Sequence, residues 1–313
     1  MEIIDLARIR SALNYAEIID RMRDALIVNS RGVCDTPMPM HLNIAPEEAE
    51  VHIKSSYRRG GRYFALKIAS TFPRNVERGL PSGNGMMLLV SGLTGEPVAM
   101  LADAGHLTDL RTAAVAAMVA RELGRNDRVL GIVGTGIQAR LQAAMHAKVL
   151  DISKIYLWGR TLARTVQCQE ELRSRLPAAE VSIVASPSEV ASESRLIVTA
   201  TASRQPLLSA SDLRPGTHIS AVGSDSVSKQ ELDPEILRRA ALLLADSRNQ
   251  CQRLGELQHA PSEWGRAVEI GEFCESHCEW DRDGISVCDF TGLGVEDLYI
   301  AEYCYATVVA AMV

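Results

Sequence analysis

The sequence predicts an α/β protein in which a doubly wound parallel sheet is inserted into a second, α+β domain. Three observations carry this. The stretch from Arg128 to Ala139, RVLGIVGTGIQA, reads as strand, glycine turn and helix start. From Asp127 to Asp289 short apolar runs alternate with helix-compatible segments, as in a parallel sheet. Before that, residues 40 to 100 alternate short β-like runs with turns and have no helix between them.

Residues 1 to about 30 are expected to be helical, with Ile18, Met22, Ala25 and Leu26 on one face. Gly32, Pro37 and Pro39 end that segment. The β region follows, with runs at Val51–Lys54, Tyr63–Ile68 and Met86–Val90. Turns at Gly60-Gly61, Pro81-Ser82-Gly83 and Thr94-Gly95 separate them. An Ala-rich helix is expected from a cap at Thr108 or Asp109 to Leu123, with Gly124 as its stop. Arg111 in its first turn places a cation beside the positive end of the helix dipole. Either a salt bridge to Asp109 or Asp103 offsets this, or Arg111 joins the helix end in holding an anion.

Val129–Val133 suits a strand buried on both faces. The G-x-G-x-x-A that follows lets the backbone approach a pyrophosphate, and the next helix offers free N–H groups to it. Gly134, Thr135, Gly136, Ile137 and Gln138 are therefore expected at a dinucleotide in a Rossmann-type domain. The second strand, Lys154–Trp158, ends in Gly159-Arg160-Thr161, with Arg164 one turn on. An acidic residue there would accept from the ribose hydroxyls of NAD. Arginine and threonine suit the extra phosphate of NADP, so NADP(H) is the expected cofactor with NAD(H) as the alternative; the plainer reading of Arg160 is a solvated strand end.

Further runs at Val181–Ala185, Arg195–Thr201, Thr217–Gly223, Ala241–Asp246 and Gly284–Asp289 give six or so strands in all. Ser186-Pro187-Ser188-Glu189 opens one helix, and Ser228-Lys-Gln-Glu231 carries a capping-box pattern for another. Ligands of such sheets bind beyond the carboxyl ends of the strands, which brings in Thr199, Ala200, Thr201, Val222 and Gly223. Asp225 is a candidate to face the nicotinamide there; the alternative is a helix cap or solvated loop acid. Val295–Val313 is a long amphipathic helix expected to return to the N-terminal part, leaving a first domain of 1–122 plus 292–313 around a nucleotide domain of 123–291.

Composition narrows the classes of function. The chain has 313 residues, 23% charged and 47% hydrophobic, with a net charge of −6, which is ordinary for a globular protein of two domains. No basic stripe suits nucleic acid, and the longest apolar run, ATVVAAMV, is too short to span a bilayer. The N-terminus lacks the basic head and apolar core of a signal peptide. Seven scattered cysteines suit a reducing cytoplasm. Cys274, His277, Cys278 and Cys288 match no strong zinc spacing, so no metal is expected.

Several separated stretches together resemble the ornithine cyclodeaminase and mu-crystallin superfamily. They are Leu66-Lys67, Gly79–Ser82, Thr94–Pro97, Leu107–Ala114, Gly131–Ala139, Ala221–Asp225, Lys229–Leu232 and Thr291–Asp297, in the family's order. The combination is specific where the glycine motif alone is not. The resemblance implies that Lys67 contacts the substrate carboxylate or carbonyl and assists proton transfer. It implies that Arg111 clamps that carboxylate and that Asp225 is the catalytic acid. Ser82 falls where the family often has Thr. Thr112 and Gly292, in matching stretches, join the expected cofactor contacts. The family is usually a homodimer joined through its N-terminal sheets.

One departure stands out. Where many members carry a further carboxylate-binding arginine, this chain has His41, and thirteen residues on it has Lys54 where Met is common. Lys54 either supplies the missing cation, reads a second acidic group on the substrate, or is a solvated strand lysine. The resemblance implies an NAD(P)-dependent oxidoreductase of a small amino or imino acid, either an imine or ketimine reductase or an amino acid dehydrogenase. The alternatives are a cyclodeaminase that uses NAD catalytically and a non-catalytic crystallin-like binder.

Overall fold

The computed structural model describes residues 1–310. Its chain forms two compact units, one of Met1–Arg111 with Leu293 onward and one of Thr112–Gly292. The expected division lay at 122/123; the observed one lies at 111/112, inside a helix that is continuous from His106 to Glu122.

The first unit is built on strands β1 (Glu2–Asp5), β2 (Cys34–Asp35), β3 (Met40–Ile44), β4 (Ala49–Arg58), β5 (Tyr63–Thr71), β6 (Gly83–Ser91) and β7 (Pro97–Ala102). Their order is β1-β7-β6-β5-β4-β2, with β3 also on β4. The pairs are antiparallel except β1 with β7. The first thirty residues are not one helix. They are β1 and two helices, α1 (Leu6–Ala12) and α2 (Tyr15–Ser30), capped by the side chains of Asp5 and Asn14. Four residues of strand leave no readable period, and β1 exists because β7 offers it an edge.

The C-terminal helix, Gly294–Ala310, packs on α2, β4, β5 and β6, so the chain does return to its start. Residues 311–313, the end of the expected helix and of the apolar run, lie outside the described residues. Alternation along the strands gives the sheet two unlike faces. One carries the buried Lys54, Ser56, Ala65, Lys67, Met87, Leu89, Ala99 and Leu101. The other carries Ile3, Met40, Leu42, Ile44, Ile68 and Met86, all exposed.

α3 (His106–Glu122) links the units. It begins earlier than Thr108. The Asp103 carboxylate accepts the Leu107 N–H at 2.7 Å, and Ala104 and Gly105 turn the chain with φ of +52° and +84°. Arg111 therefore lies in the second turn, where the helix dipole opposes it less.

The second unit holds an eight-stranded sheet whose neighbouring strands are all parallel. In chain order it has β8 (Val129–Val133), α4 (Ile137–Val149), β9 (Lys154–Trp158), α5 (Leu162–Arg175), β10 (Glu180–Ile183), α6 (Pro187–Glu193) and β11 (Leu196–Thr199). Then come β12 (Arg204–Leu208), β13 (His218–Ala221), β14 (Gln230–Leu232), α7 (Pro234–Arg239), β15 (Ala240–Ala245), α8 (Arg248–Leu254), β16 (Val268–Glu269), α9 (Ile270–Ser276) and β17 (Ile285–Asp289). The order β10-β9-β8-β11-β13-β17-β15-β16 reverses its direction of winding between β8 and β11. Val133, Ile197, Ile219, Leu243 and Val287 fill its core. This is the predicted doubly wound sheet.

Ser228–Glu231 does not open a helix. Gln230–Leu232 is a short strand beside β12, and α7 starts after Asp233, whose side chain accepts the Glu235 N–H at 2.8 Å. The S-x-x-E pattern matched by chance, because Glu231 points into the unit.

Candidate active site

In the first unit the β4–β5 register sets Lys54 directly opposite Lys67. Lys67 is 1% exposed and Lys54 8%. Two lysines facing each other inside a protein are costly unless anions answer them. Two do, from the first turn of the C-terminal helix. Lys67 Nζ lies 2.8 Å from Asp297, and Arg111 donates from Nη1 to Glu296 Oε2 at 2.8 Å and from Nε to Asp297 Oδ1 at 3.1 Å. The acids suit that helix end, where the dipole is positive. Gly294 brings the helix in close: a Cβ there would fall 2.3 Å from the Ser55 carbonyl oxygen.

Burial, with Arg111 and Lys54 nearby, outweighs Asp297 and brings the Lys67 ammonium down to about 7. Burial works to raise the Asp297 carboxyl, but Lys67, Arg111 and Lys54 together hold it below its ordinary value. Asp103, 1% exposed, is pushed up by burial despite the N–H bonds it accepts. His41 stands on the same face of the sheet, edge-to-face with His52 at 4.3 Å. Ser82 lies in the exposed turn before β6, where its carbonyl accepts the Phe72 N–H.

In the second unit the expected cofactor residues gather at the carboxyl ends of β8, β9, β11 and β13. Gly134 has φ of +132°, and a Cβ on it would lie 2.4 Å from the Ala200 carbonyl oxygen. Gly159 is just as restricted, since its Cβ would meet the Thr135 methyl at 2.3 Å. Around Gly136 nothing lies within 4 Å of a Cβ, and the α4 N-terminus that it begins has no side-chain cap. An open glycine edge under uncapped N–H groups fits a pyrophosphate. Arg140 fastens this loop, donating to the carbonyls of Thr135 and Gly136 at 2.8 and 3.0 Å while Glu171 holds its other nitrogens. Ile137, Arg160, Thr161 and Arg164 are exposed, and Gln138 is half-buried.

The ends of β11 and β13 are tied together by Glu231, which is fully buried. It accepts from the Thr199 hydroxyl, the Thr201 N–H and hydroxyl, and the Gly223 N–H. Behind it, Glu256 accepts the Glu231 N–H at 2.7 Å, and Asp289 accepts the Glu256 and Leu257 N–H groups at 2.9 Å each. Burial raises all three carboxyls, Asp289 to about 7. Val222 is buried beside Gly223. Asp225, past the end of β13, is partly exposed and 2.5 Å from Lys229 Nζ. Gly292 donates its N–H to Asp246 at 2.6 Å, and Thr112 follows Arg111 in α3, half-buried.

Lys54, Lys67 and Arg111 are thus brought into one buried cluster. The glycine loop, the β9 end and the Thr199–Thr201 and Val222–Gly223 segments share one edge of the second sheet. Sequence reasoning missed Asp297, Glu296, Glu231 and Arg140. The acid pair had a signal, as two carboxylates opening an otherwise apolar helix inside a matching stretch. Glu231 had a misleading one.

Comparison with known proteins sets this geometry in a wider group. The model of the ornithine cyclodeaminase/mu-crystallin family matches residues 2–311. A putative dehydrogenase of Rhizobium meliloti is 37% identical, over 99% of this chain and 97% of its own length. The solved Δ1-pyrroline-2-carboxylate reductase of Thermococcus litoralis, in complex with NADH and L-proline, superposes with a TM-score of 0.93 at 25% identity, covering 100% of this chain and 99% of that one. An archaeal alanine dehydrogenase dimer with bound NAD gives 0.91 at 26% identity, with 100% and 97% covered.

Proposed function

This chain belongs to the ornithine cyclodeaminase/mu-crystallin family, and from that premise we propose that it is an NAD(P)-dependent oxidoreductase that reduces the C=N bond of a small imino acid. Lys67 is the observation that carries this reading. A lysine buried among charges and poised near neutrality is suited to give or take a proton.

A reduced nicotinamide, when bound, supplies the hydride that becomes the new C–H bond. The protein's residues do the rest. Arg111 and Lys54 hold the substrate carboxylate, which fixes the imine carbon in place. Lys67 in its charged form bonds the carboxylate and assists the transfer of the one proton that nitrogen takes up as the C=N electron pair moves to it. Asp225 serves as the proton carrier for that nitrogen. His41 and Ser82 complete the substrate side. The open edge at Gly136 and the α4 N-terminus receive the pyrophosphate, with Thr112 and Gly292 as further cofactor contacts.

NADPH is the preferred donor in this reading, because the end of β9 offers exposed Arg160, Thr161 and Arg164 and no carboxylate for a ribose hydroxyl. Two solved relatives carry NADH or NAD, so the proposed preference rests on Arg160, Thr161 and Arg164 alone. The exposed apolar face of the first sheet is where two copies join. The free cysteines suit a reducing cytoplasm, and among the described residues no helix is long and apolar enough to cross a membrane.

The test is loss of nicotinamide absorbance with NADPH or NADH and a panel of imino acids, including Δ1-pyrroline-2-carboxylate and α-keto acids with amines. Turnover is expected, faster with NADPH, and Arg160→Ala should remove that preference. Lys54→Met should weaken substrate binding. Ammonia release from ornithine without net nucleotide oxidation would replace this reading with a cyclodeaminase, and nucleotide binding without any turnover would leave a binding protein.

A further inference from the structure

Glu231 is a buried carboxylate whose four acceptor positions are all filled from the ends of β11 and β13. Oε1 takes the Thr201 N–H and hydroxyl at 2.6 and 2.7 Å; Oε2 takes the Thr199 hydroxyl and Gly223 N–H at 2.7 and 2.8 Å. Only an ionised carboxylate can accept four bonds at once. A glutamine in its place would turn an N–H pair toward donors. The residue itself cannot shift, because its own N–H is held by Glu256, and Gly223 lies so close that a Cβ there would sit 2.6 Å from its carboxyl group.

The consequence falls on Thr201. Its hydroxyl hydrogen is committed to Glu231, and Ser203 donates its N–H to the same oxygen at 3.2 Å. What the half-buried Thr201 side chain has left to offer is a lone pair. This acceptor stands just past the end of β11. On the neighbouring strand β8, Gly134 is pressed against the Ala200 carbonyl. The pair β8–β11 is where the winding reverses, the place at which such sheets receive their ligand.

We propose that Glu231 is a positioning residue that locks Thr201 as a hydrogen-bond acceptor, so that this strand end selects a donor on the cofactor, the carboxamide N–H of the nicotinamide. The proposal rests on the dinucleotide reading above. It assigns Glu231 no contact with substrate or cofactor; its action passes through the Thr201 hydroxyl.

The experiment compares binding of NADH with that of its reduced 3-acetylpyridine analogue, in which a methyl ketone replaces the carboxamide and no N–H remains. Wild-type protein should bind NADH about tenfold more tightly than the analogue, as expected for one well-placed hydrogen bond. In Glu231→Gln that preference should shrink to roughly twofold or less, through weaker NADH binding with the analogue little changed. Thr201→Val, which leaves Glu231 its other donors, should show the same pattern, and the double variant should lose no more than either single one. The Thr201→Val arm decides the matter if Glu231→Gln does not fold. Equal weakening of both nucleotides, an undiminished preference in Thr201→Val, or wild-type protein that binds both alike would each overturn the proposal. Wild-type protein that binds neither nucleotide would fail the dinucleotide reading itself.

Discussion

Lys67 sits at 1% exposure facing a second lysine, with Asp297 as its nearest anion. Its lowered value near 7 means that the unfolded chain binds a proton between about 7 and the ordinary 10.5 where the folded chain does not. Stability from this group is therefore greatest above that window and is lost as pH falls through about 7. If its charged form serves the reduction, kcat/KM for reduction should fall as pH rises through the same value. Asp297→Asn removes the anion that favours the charged form, so the midpoint of that profile should move to lower pH, by roughly one unit. A profile unmoved in this variant would take Lys67 out of the reaction. Lys67→Met should cost about a hundredfold or more in kcat/KM while dinucleotide binding persists. The sequence singles out Lys67 and Arg111 as candidates through the motifs around them, and the fold brings both against Asp297. Their acidic partners could not, because residues 230 and 186 positions apart along the chain meet only after folding.

Among the elements, the carboxyl ends of the second sheet depend on buried carboxylates that cap turns where backbone N–H groups would otherwise be orphaned. Asp289 ends β17 and accepts two of them. Its value is raised to about 7 from 3.8 by burial, so its contribution is full below about 3.8 and is lost as pH rises through about 7. Thermal unfolding between about pH 4 and 7, below the window in which Lys67 acts, should show stability declining with pH for this reason. Asp289→Asn should be less stable throughout and show a flatter decline; an identical slope would assign the effect elsewhere. The elements also show where local patterns mislead. In place of the helix predicted at Ser228 there is a turn and then β14, because Glu231 meets donors at the ends of β11 and β13 that outweigh a local cap. The single helix predicted for the first thirty residues loses Glu2–Asp5 to β7 and breaks at Asn14, whose side chain caps the second helix. By contrast, the glycine turn after β8 formed as read, since its constraint is local: the backbone of Gly134 adopts a φ that a side chain would resist.

For the whole molecule, the outer face of the first sheet leaves large apolar side chains exposed. Ile3 at 58%, Met40 at 58% and Leu42 at 47% exposure lie on the same face as Ile68 and Met86. Faces of this kind are usually covered by a partner. The dimer proposed above predicts that wild-type protein sediments as twice the chain mass. Leu42→Glu with Ile68→Glu should sediment as a monomer, and a doubly charged variant that stays dimeric would exclude this face. The sequence by itself determined the class of fold, the insertion of one domain in the other and the glycine loop. Each of these follows from periodicity or backbone freedom that neighbouring residues impose on one another. Only the tertiary structure decided which acids neutralise Lys67 and Arg111, that Glu231 faces inward, and that one face of the first sheet leaves several large apolar side chains exposed. Those outcomes depend on strand register and on contacts between distant segments, and no local pattern encodes them.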